Sequence, residues 1–493
     1  MEDQSNLRWW VLLTVIIGTF LGRLDQTVVS LALPKIINDF SITVSDAGWI
    51  ATAYILANAV FVPVWGKLGD TMGRKKIYIM GFTIFIIGSV LAGISWDLGS
   101  MLVFRVVQAV AVSADYPTAM AILAVTFTDQ KERSQVLGIW SASFAAAIVI
   151  GPLVGGPLID FVGWRSVFLI NLPVGLLGLF MAFRFVKESV SSKKIAKFDW
   201  LGALTLAVSL ASIVLLLDKA NDWGWISINS LILYATSLTF GSLFYIVEKR
   251  HEEPIVDFKF FKNRAFVTSL ANNFIIFMGL IGSVFIIPVF VQTFLGYDAT
   301  HTGYLFIPLA AVMMIAAPIG GSLTGKAQPR YIIAAGTFIS AMGMLLFTFI
   351  DPRSTPLAII IPMMVMASGM GLSMAQSTNI VASAAPKEEI GEASSVLALV
   401  RNIAGAFGIA IFTSVISNTT ASNIISLAQN TVINVKTPTV YSEVAALIIL
   451  KAEVMSYQTS FLISALLMLL AAAIALLIPK IKIEKHEEIV MAG

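Results

Sequence analysis

The chain contains no cysteine and only three histidines, and charged residues make up just 12% of its 493 positions. Without cysteine there are no disulfides, no thiolate metal sites and no thiol nucleophile. His251, His301 and His486 stand far apart in loops or in the tail. No zinc or haem ligand set is visible, and neither a metal nor a cofactor is expected. Lys and Arg number 32 against 29 Asp and Glu, a net charge of +3, which is too small a surplus for a nucleic-acid binder. No nucleotide-binding loop, nucleophile–base pair or channel filter can be found, so neither an enzyme nor a channel is expected. The scarcity of charge also excludes an ordinary soluble domain, which averages about 25% charged residues.

Apolar residues take the place of charge. They make up 57% of the chain, and the mean hydropathy is +0.87. At about 20 apolar residues per spanning helix, this supplies roughly fourteen spans. Hydropathy places them near 9–33, 47–66, 77–96, 101–124, 136–158, 166–184, 200–217, 226–247, 267–292, 302–325, 331–350, 355–376, 393–417 and 458–479. The first lacks a small-residue cleavage pattern and reads as a retained helix, not a signal peptide. An even number of spans puts both termini on one side. With the termini inside, 23 Lys and Arg fall in inner segments, and only Lys35, Arg165, Lys219, Arg353, Lys436 and Lys451 fall in outer ones. This bias predicts a multi-pass cell-membrane protein with both termini cytoplasmic.

A faint internal repeat relates Gly66–Lys75, after span two, to Gly321–Arg330, after span ten. The offset of eight spans suggests two six-helix halves separated by spans seven and eight, although short glycine-rich loops also resemble one another by chance. Duplicated halves around a midplane site are a transporter architecture. The division expected is an N-terminal half over 1–186, a linker with two extra helices over 187–264, and a C-terminal half over 265–493. The polar stretches Lys187–Phe198 and Glu248–Arg264 read as cytoplasmic linkers. An outer loop is expected near 418–456. Its Val440–Ala452 part is apolar enough to rest on the membrane surface, or it forms an ordinary amphipathic loop helix.

Charges inside spans are costly and therefore informative. There are five: Arg23 and Asp25 in span one, Arg105 and Asp115 in span four, and Arg401 in span thirteen. The arginines fit static ion pairs and functional sites equally well. The two acids favour function, because burial and a neighbouring arginine act on a carboxyl in opposite directions and can bring it to exchange a proton near neutral pH. At about 1.5 Å per residue, Asp25 lies roughly 12 Å and Arg105 roughly 6 Å below the outer helix ends, with Arg23 roughly 15 Å and Asp115 roughly 20 Å below. If spans one and four touch, Arg105/Asp25 and Arg23/Asp115 come within reach, and Gln108 shares a face with Asp115.

At these residues a family becomes recognisable. Gly66-Lys-Leu-Gly-Asp-Thr-Met-Gly-Arg-Lys-Lys76 resembles the loop signature of the major facilitator superfamily. Leu24-Asp-Gln-Thr-Val-Val-Ser-Leu-Ala-Leu-Pro34, Arg105-Val-Val-Gln108 with Pro117, and Gly151-Pro-Leu-Val-Gly-Gly-Pro157 resemble the first-, fourth- and fifth-helix motifs of its fourteen-span drug/proton antiporters. Gly163–Gly175, Phe198–Gly202 and the Pro254–Phe266 stretch support that branch. The resemblance implies the major facilitator fold and proton-coupled export of small amphipathic compounds by a functional monomer, with protons and the substrate as partners. A lipid or lipid-precursor transporter, or a specific metabolite or tetracycline exporter, would use the same scaffold.

On this resemblance Asp25 and Asp115 exchange protons and Arg23 and Arg105 tune them. Gln108, Tyr54, Tyr116, Trp140, Asn171, Asn272, Asn273 and Gln292 are weaker cavity candidates, the aromatics being as readily packing residues. In the loop motif, with Gly66 and Gly73, Asp70 is expected to face a helix N-terminus across the halves and Arg74 to pair with an acid such as Asp129. Gly151, Pro152, Gly155 and Gly156 suggest a seal or pivot, with plain helix packing equally open. The chain departs from the motifs at Ala109 and at Ala145–Ala147, where glycines are usual. Arg23 and Asp115 lie outside them, and the C-terminal half has no clear in-span acid. This last feature suggests monocationic, zwitterionic or neutral substrates.

Overall fold

The computed structural model describes residues 2–128, 130–189, 199–251, 254–323, 326–383, 390–431 and 437–480, and they are helical with no strand among them. The N-terminal half comprises α1 (Glu2–Phe40), α2 (Val44–Met72), α3 (Arg74–Gly93), α4 (Leu98–Val112), α5 (Asp115–Thr126), α6 (Gln130–Phe161), the short α7 (Ser166–Leu169) and α8 (Asn171–Phe185). The extra pair is α9 (Trp200–Trp223) and α10 (Ile228–Arg250). The C-terminal half contains α11 (Arg264–Phe294), α12 (Ala299–Ser322), α13 (Pro329–Leu346), α14 (Pro356–Ser383), α15 (Ile390–Asn430) and α16 (Pro438–Leu476).

Thirteen described stretches are long and apolar enough to cross a membrane. At the expected fifth span, α6 adds the shorter apolar segment Ile150–Phe161. Continuous helix is what a bilayer demands, because no water is available there to satisfy free backbone groups. The helices begin where the sequence supplies caps. Thr43 and Asp46 form a capping box at α2, and Asp97 and Ser100 form one at α4. Between α2 and α3 the chain reverses at Gly73, whose φ of 106° suits only glycine.

The packing repeats itself. In the N-terminal half span one packs on five and six, span three on four and six, and span two on four. In the C-terminal half α11 packs on α15 and α16, α13 on α14 and α16, and α12 on α14. These are the same pairs moved on by eight spans, which is the offset the loop repeat suggested. The halves meet along α2–α15 and α6–α12, two seams related by the same pseudo-symmetry, with α1 touching α11 between them. Of the extra pair, α9 packs on α10 and leans on α2 and α15. Asp218 of α9 accepts hydrogen bonds from Ser45 and from the Trp49 indole of α2, the latter at 2.8 Å.

Two local features differ from the sequence expectation. Span four is not one helix: it breaks at Ser113–Ala114, so Asp115 sits in the first turn of a new helix, α5. The 418–456 stretch is not a loop with a separate surface helix. There α15 and α16 continue as a helical hairpin, joined by Thr420 and Asn423 to Ser456. The Val440–Ala452 stretch prolongs α16 because its cap lies farther back, at Thr437, whose hydroxyl accepts from the Val440 N–H.

Candidate functional site

The site lies inside the N-terminal half, where α1, α3, α4 and α8 converge. Asp25 is completely buried, and its Oδ2 accepts from Arg105 at 2.5 Å. Its Oδ1 accepts from the amides of Gln108 at 2.9 Å and Asn171 at 3.1 Å. Both amides also donate to Ser89 of α3, at 2.7 and 3.2 Å, and Arg105 donates in addition to the Gln108 carbonyl at 2.6 Å. The guanidinium stacks 4.0 Å from the Tyr54 ring. Five elements thus close one carboxylate into a dry network, and small residues permit the approach. A Cβ on Gly88 would lie 3.0 Å from the Gln108 backbone, and one on Gly22 would lie 2.5 Å from Val112.

Asp115 forms a second centre on the same face of α1, toward the end that carries the termini. Its Oδ2 accepts from Thr19 at 2.6 Å, and Thr19 accepts from the Trp140 indole at 3.0 Å. Its other oxygen, Oδ1, is buried without a hydrogen-bond partner, facing Gly18. Arg23 donates to Gln26 at 3.2 Å and acts on Asp115 electrostatically. The sequence expectation brings Arg23 and Asp115 within reach if spans one and four touch; the hydrogen bond that the structure gives the Asp115 carboxylate comes from Thr19.

Other candidates divide by position. Tyr116 is 43% exposed, with its ring 5.4 Å from Trp140. Arg401 of α15 donates to Asn273 at 3.0 Å and Thr378 at 3.1 Å and lies over Phe277. Tyr54 and Asn171 belong to the buried Asp25 network and do not line a cavity wall. Asn272 donates to the Ala471 carbonyl at 2.6 Å and ties α11 to α16. Gln292 donates to the Leu31 carbonyl at 2.9 Å, across the halves, and borders a cavity of about 730 Å³ at the end remote from the termini.

The fifth-helix motif lies on both of its neighbours. A Cβ on Gly151 or Gly155 would run into Thr27 or Val28 of α1, and one on Gly156 would lie 2.6 Å from the Thr300 Cα of α12. Pro152 packs against Gly303 of α12. One turn farther on, Asp160 accepts from the backbone N–H groups of Thr300 at 2.8 Å and Ala299 at 3.3 Å, and from the Thr300 hydroxyl at 2.7 Å. Asp160 thus caps a helix of the other half, which sequence reading missed. Its only signal is an acid two residues beyond the expected fifth span. In the loop motif, the carboxylate of Glu188 accepts from the N–H groups of Lys75 at 3.0 Å and Lys76 at 3.1 Å, and the Arg74 N–H donates to the Ser189 carbonyl. Asp129 and the surroundings of Gly66 and of the Asp70 carboxyl lie outside the described residues.

Comparison with known proteins places this geometry. Residues 15–409 match the family model of the Major Facilitator Superfamily. The multidrug transporter protein MdtP of Bacillus subtilis is 33% identical over 417 residues, covering 84% of this chain and 76% of its own. The multidrug resistance protein Stp of Mycobacterium tuberculosis is 30% identical, covering 82% and 76%. The tetracenomycin C resistance and export protein of Streptomyces glaucescens is 28% identical, covering 83% and 76%. Among solved structures, an inward-facing bacterial homologue of the lysosomal transporter Spinster superposes with a TM-score of 0.69 at 17% identity, covering 96% of this chain and 97% of that one.

Proposed function

The chain belongs to the major facilitator superfamily, and we propose that it exports small amphipathic compounds by alternating access, driven by inward proton flow. Relatives named as multidrug transporters and exporters support the substrate class. The observation that carries the coupling is the buried Asp25 network. A proton on Asp25 removes the charge that gathers Arg105, Gln108 and Asn171, so proton binding and rearrangement of α1, α3, α4 and α8 are one event. Asp115, with one oxygen unengaged, is the second proton site, and Arg23 and Arg105 tune the pair. The substrate lies between the halves, between the Tyr116 and Arg401 faces.

In this reading the terminus-bearing end is cytoplasmic, the protein lies in the cell membrane, and the functional unit is a monomer of the fourteen-span branch. It divides into halves over 1–186 and 265–493, with 187–264 as the linker. The seams at α6–α12 and α2–α15 close the outer side, with Asp160 as latch. Proton release by purified protein during a compound screen tests the proposal. Compounds that bind should release protons, and binding without release would remove the coupling. Arg401 favours a second reading, a lipid or lipid-precursor carrier. Lying within α15 without a carboxylate in salt-bridge range among the described residues, it suits an anionic head group. Loss of anionic but not cationic ligands in Arg401→Gln separates the two readings.

A further inference from the structure

Two acids outside the transport site are buried against each other at the terminus-bearing end of the extra helix pair. Asp199, the N-cap of α9, is 3% exposed, and Glu248, in the last turn of α10, is 2% exposed. One oxygen of each is engaged. Asp199 Oδ1 accepts from the Gly202 N–H at 2.6 Å, and Glu248 Oε2 accepts from the Val256 N–H at 2.9 Å. The others, Asp199 Oδ2 and Glu248 Oε1, are buried with no hydrogen-bond partner. Both crowd one point: a Cβ on Gly202 would lie 2.4 Å from Oδ2 and 2.6 Å from Oε1. Two ionised carboxylates cannot share such a place, because their repulsion is unscreened and each oxygen lacks a donor. One hydrogen on either oxygen turns two opposed acceptors into a donor and an acceptor, as in a carboxyl dyad.

We propose that Asp199 and Glu248 together bind one proton, at a site distinct from Asp25 and Asp115, and that this proton fastens the segment between α10 and α11 to the bundle. Val256, held by Glu248, lies in an apolar cluster with Ala59 of α2, Leu206 of α9, Leu270 of α11, Val381 of α14 and Val396 of α15. The fastened segment therefore touches both halves as well as the linker helix. With the proton gone, the two charges repel, Glu248 leaves Val256, and the segment loosens. Alkaline pH on that side is the releasing condition.

Among the described residues, no cation is paired with either acid. Lys249 and Arg250 of α10 are exposed, as are Lys262 and Arg264. His251 follows α10 half-buried, with its N–H on the Val247 carbonyl, and Asp257 is paired with Lys259 at 2.7 Å. On α9 the next charges, Asp218 and Lys219, sit at the opposite end and pair with each other at 3.3 Å. On α15, Arg401 is engaged with Asn273 and Thr378. Lys193, Lys194, Lys197, Glu252 and Glu253 and the side chains of Lys67 and Glu392 lie outside the described residues. No described side chain from another element hydrogen-bonds either free oxygen.

The test uses full-length protein in lipid nanodiscs, with infrared spectroscopy and hydrogen exchange across neutral to alkaline pH. Glu248→Gln keeps the acceptor for Val256 and donates permanently to Asp199, so it mimics the protonated pair. Asp199→Asn does the same from the other side and keeps the Gly202 bond. The wild type should show a carboxylic-acid carbonyl band that either variant lacks. As pH rises, exchange in 254–263 should accelerate about tenfold beyond the intrinsic pH effect, and this extra acceleration should vanish in both variants. An unchanged carboxylic-acid band in both variants, or extra acceleration that persists in both, overturns the proposal. Because neither readout involves transport, failure here is independent of the exporter reading.

Discussion

Replacing Asp160 should open the far end of the bundle. Its carboxylate receives two backbone N–H groups and one hydroxyl from the first turn of α12, and it is the described side chain that caps that helix from the opposite half. A hydrogen bond to a charged group contributes about 1.5–3 kcal/mol net, and an acid at a helix N-terminus adds roughly 0.3–1 kcal/mol. When the halves part, water replaces these partners, so the three contacts on one carboxylate together count for no more than a single such bond, and the closed state loses about 2–3 kcal/mol relative to the open one in Asp160→Ala. At 1.4 kcal/mol per factor of ten, this shifts the open-to-closed ratio roughly 30- to 150-fold. Asp160→Asn keeps an acceptor and should shift it only about fivefold. The cysteine-free chain allows one reporter thiol at Gln26, read by the labelling rate with an impermeant reagent added to intact cells. The Gly156→Ala variant, whose new methyl meets the Thr300 backbone, should accelerate labelling by wedging the same seam. If labelling in folded Asp160→Ala stays within twofold of wild type, the latch reasoning is wrong.

Four further outcomes are expected. Asp25→Asn leaves Arg105 buried without its counter-charge and should cost about 3–5 kcal/mol of stability. Adding Arg105→Met should restore the thermal transition but not pH-gradient-driven export, and restored export in the double variant would make the pair purely structural. Asp115→Asn keeps the Thr19 contact and should alter ligand affinity or selectivity more than proton release, read by binding and pH-indicator assays on one sample. Asp70→Asn should slow transport while leaving affinity intact, because the proposed contact belongs to one conformation and not to the ligand; full transport rates would reduce the motif to a topology signal. Single thiols at Lys197, Lys262 and Lys485 should be labelled only from the cytoplasm, and those at Asp222 and Asp351 only from outside; labelling of Lys262 from outside would break the topology.

Much of this architecture is legible because a membrane leaves few options. Long apolar runs become helices, and an in-span charge needs a partner in a neighbouring helix, so depth alone brought Asp25 opposite Arg105. Legibility ends where a partner comes from elsewhere in the chain. Nothing in span three marks Ser89 as the residue that both Gln108 and Asn171 reach. Asp160 looks like a loop acid until α12 is docked on α6, and Glu188 looks like linker until α8 returns it to Gly73. The break after Val112 was hidden for a different reason: Val-Ser-Ala-Asp-Tyr-Pro contains no glycine, and its proline lies two residues inside the new helix, where proline is tolerated. The hairpin of α15 and α16 escaped because hydropathy finds where a span is apolar enough to insert, whereas a helix ends only where its backbone loses a partner or gains a cap.

The charges are distributed unequally between the halves, and this bears on coupling. Of the five charges that hydropathy alone places within spans, the N-terminal half carries both acids, while the C-terminal half carries Arg401. Were each half self-contained, protonation in one would have no means of being felt in the other. Tyr116 is the connection in the proposed reading: it follows Asp115 directly and packs on Trp140, and the proposed ligand site lies between it and Arg401. Trp140 in turn bonds the same Thr19 hydroxyl that donates to Asp115. If Asp115 is the second proton site, as proposed, a proton on it would change the Thr19 bond and, through Thr19, the Trp140 contact. A ligand packing on Tyr116, as proposed, would act on the same Trp140–Thr19 chain from the opposite direction, and reciprocity would then require the two effects to be equal. The proton and the ligand need not compete for one carboxylate for binding of either to bias binding of the other.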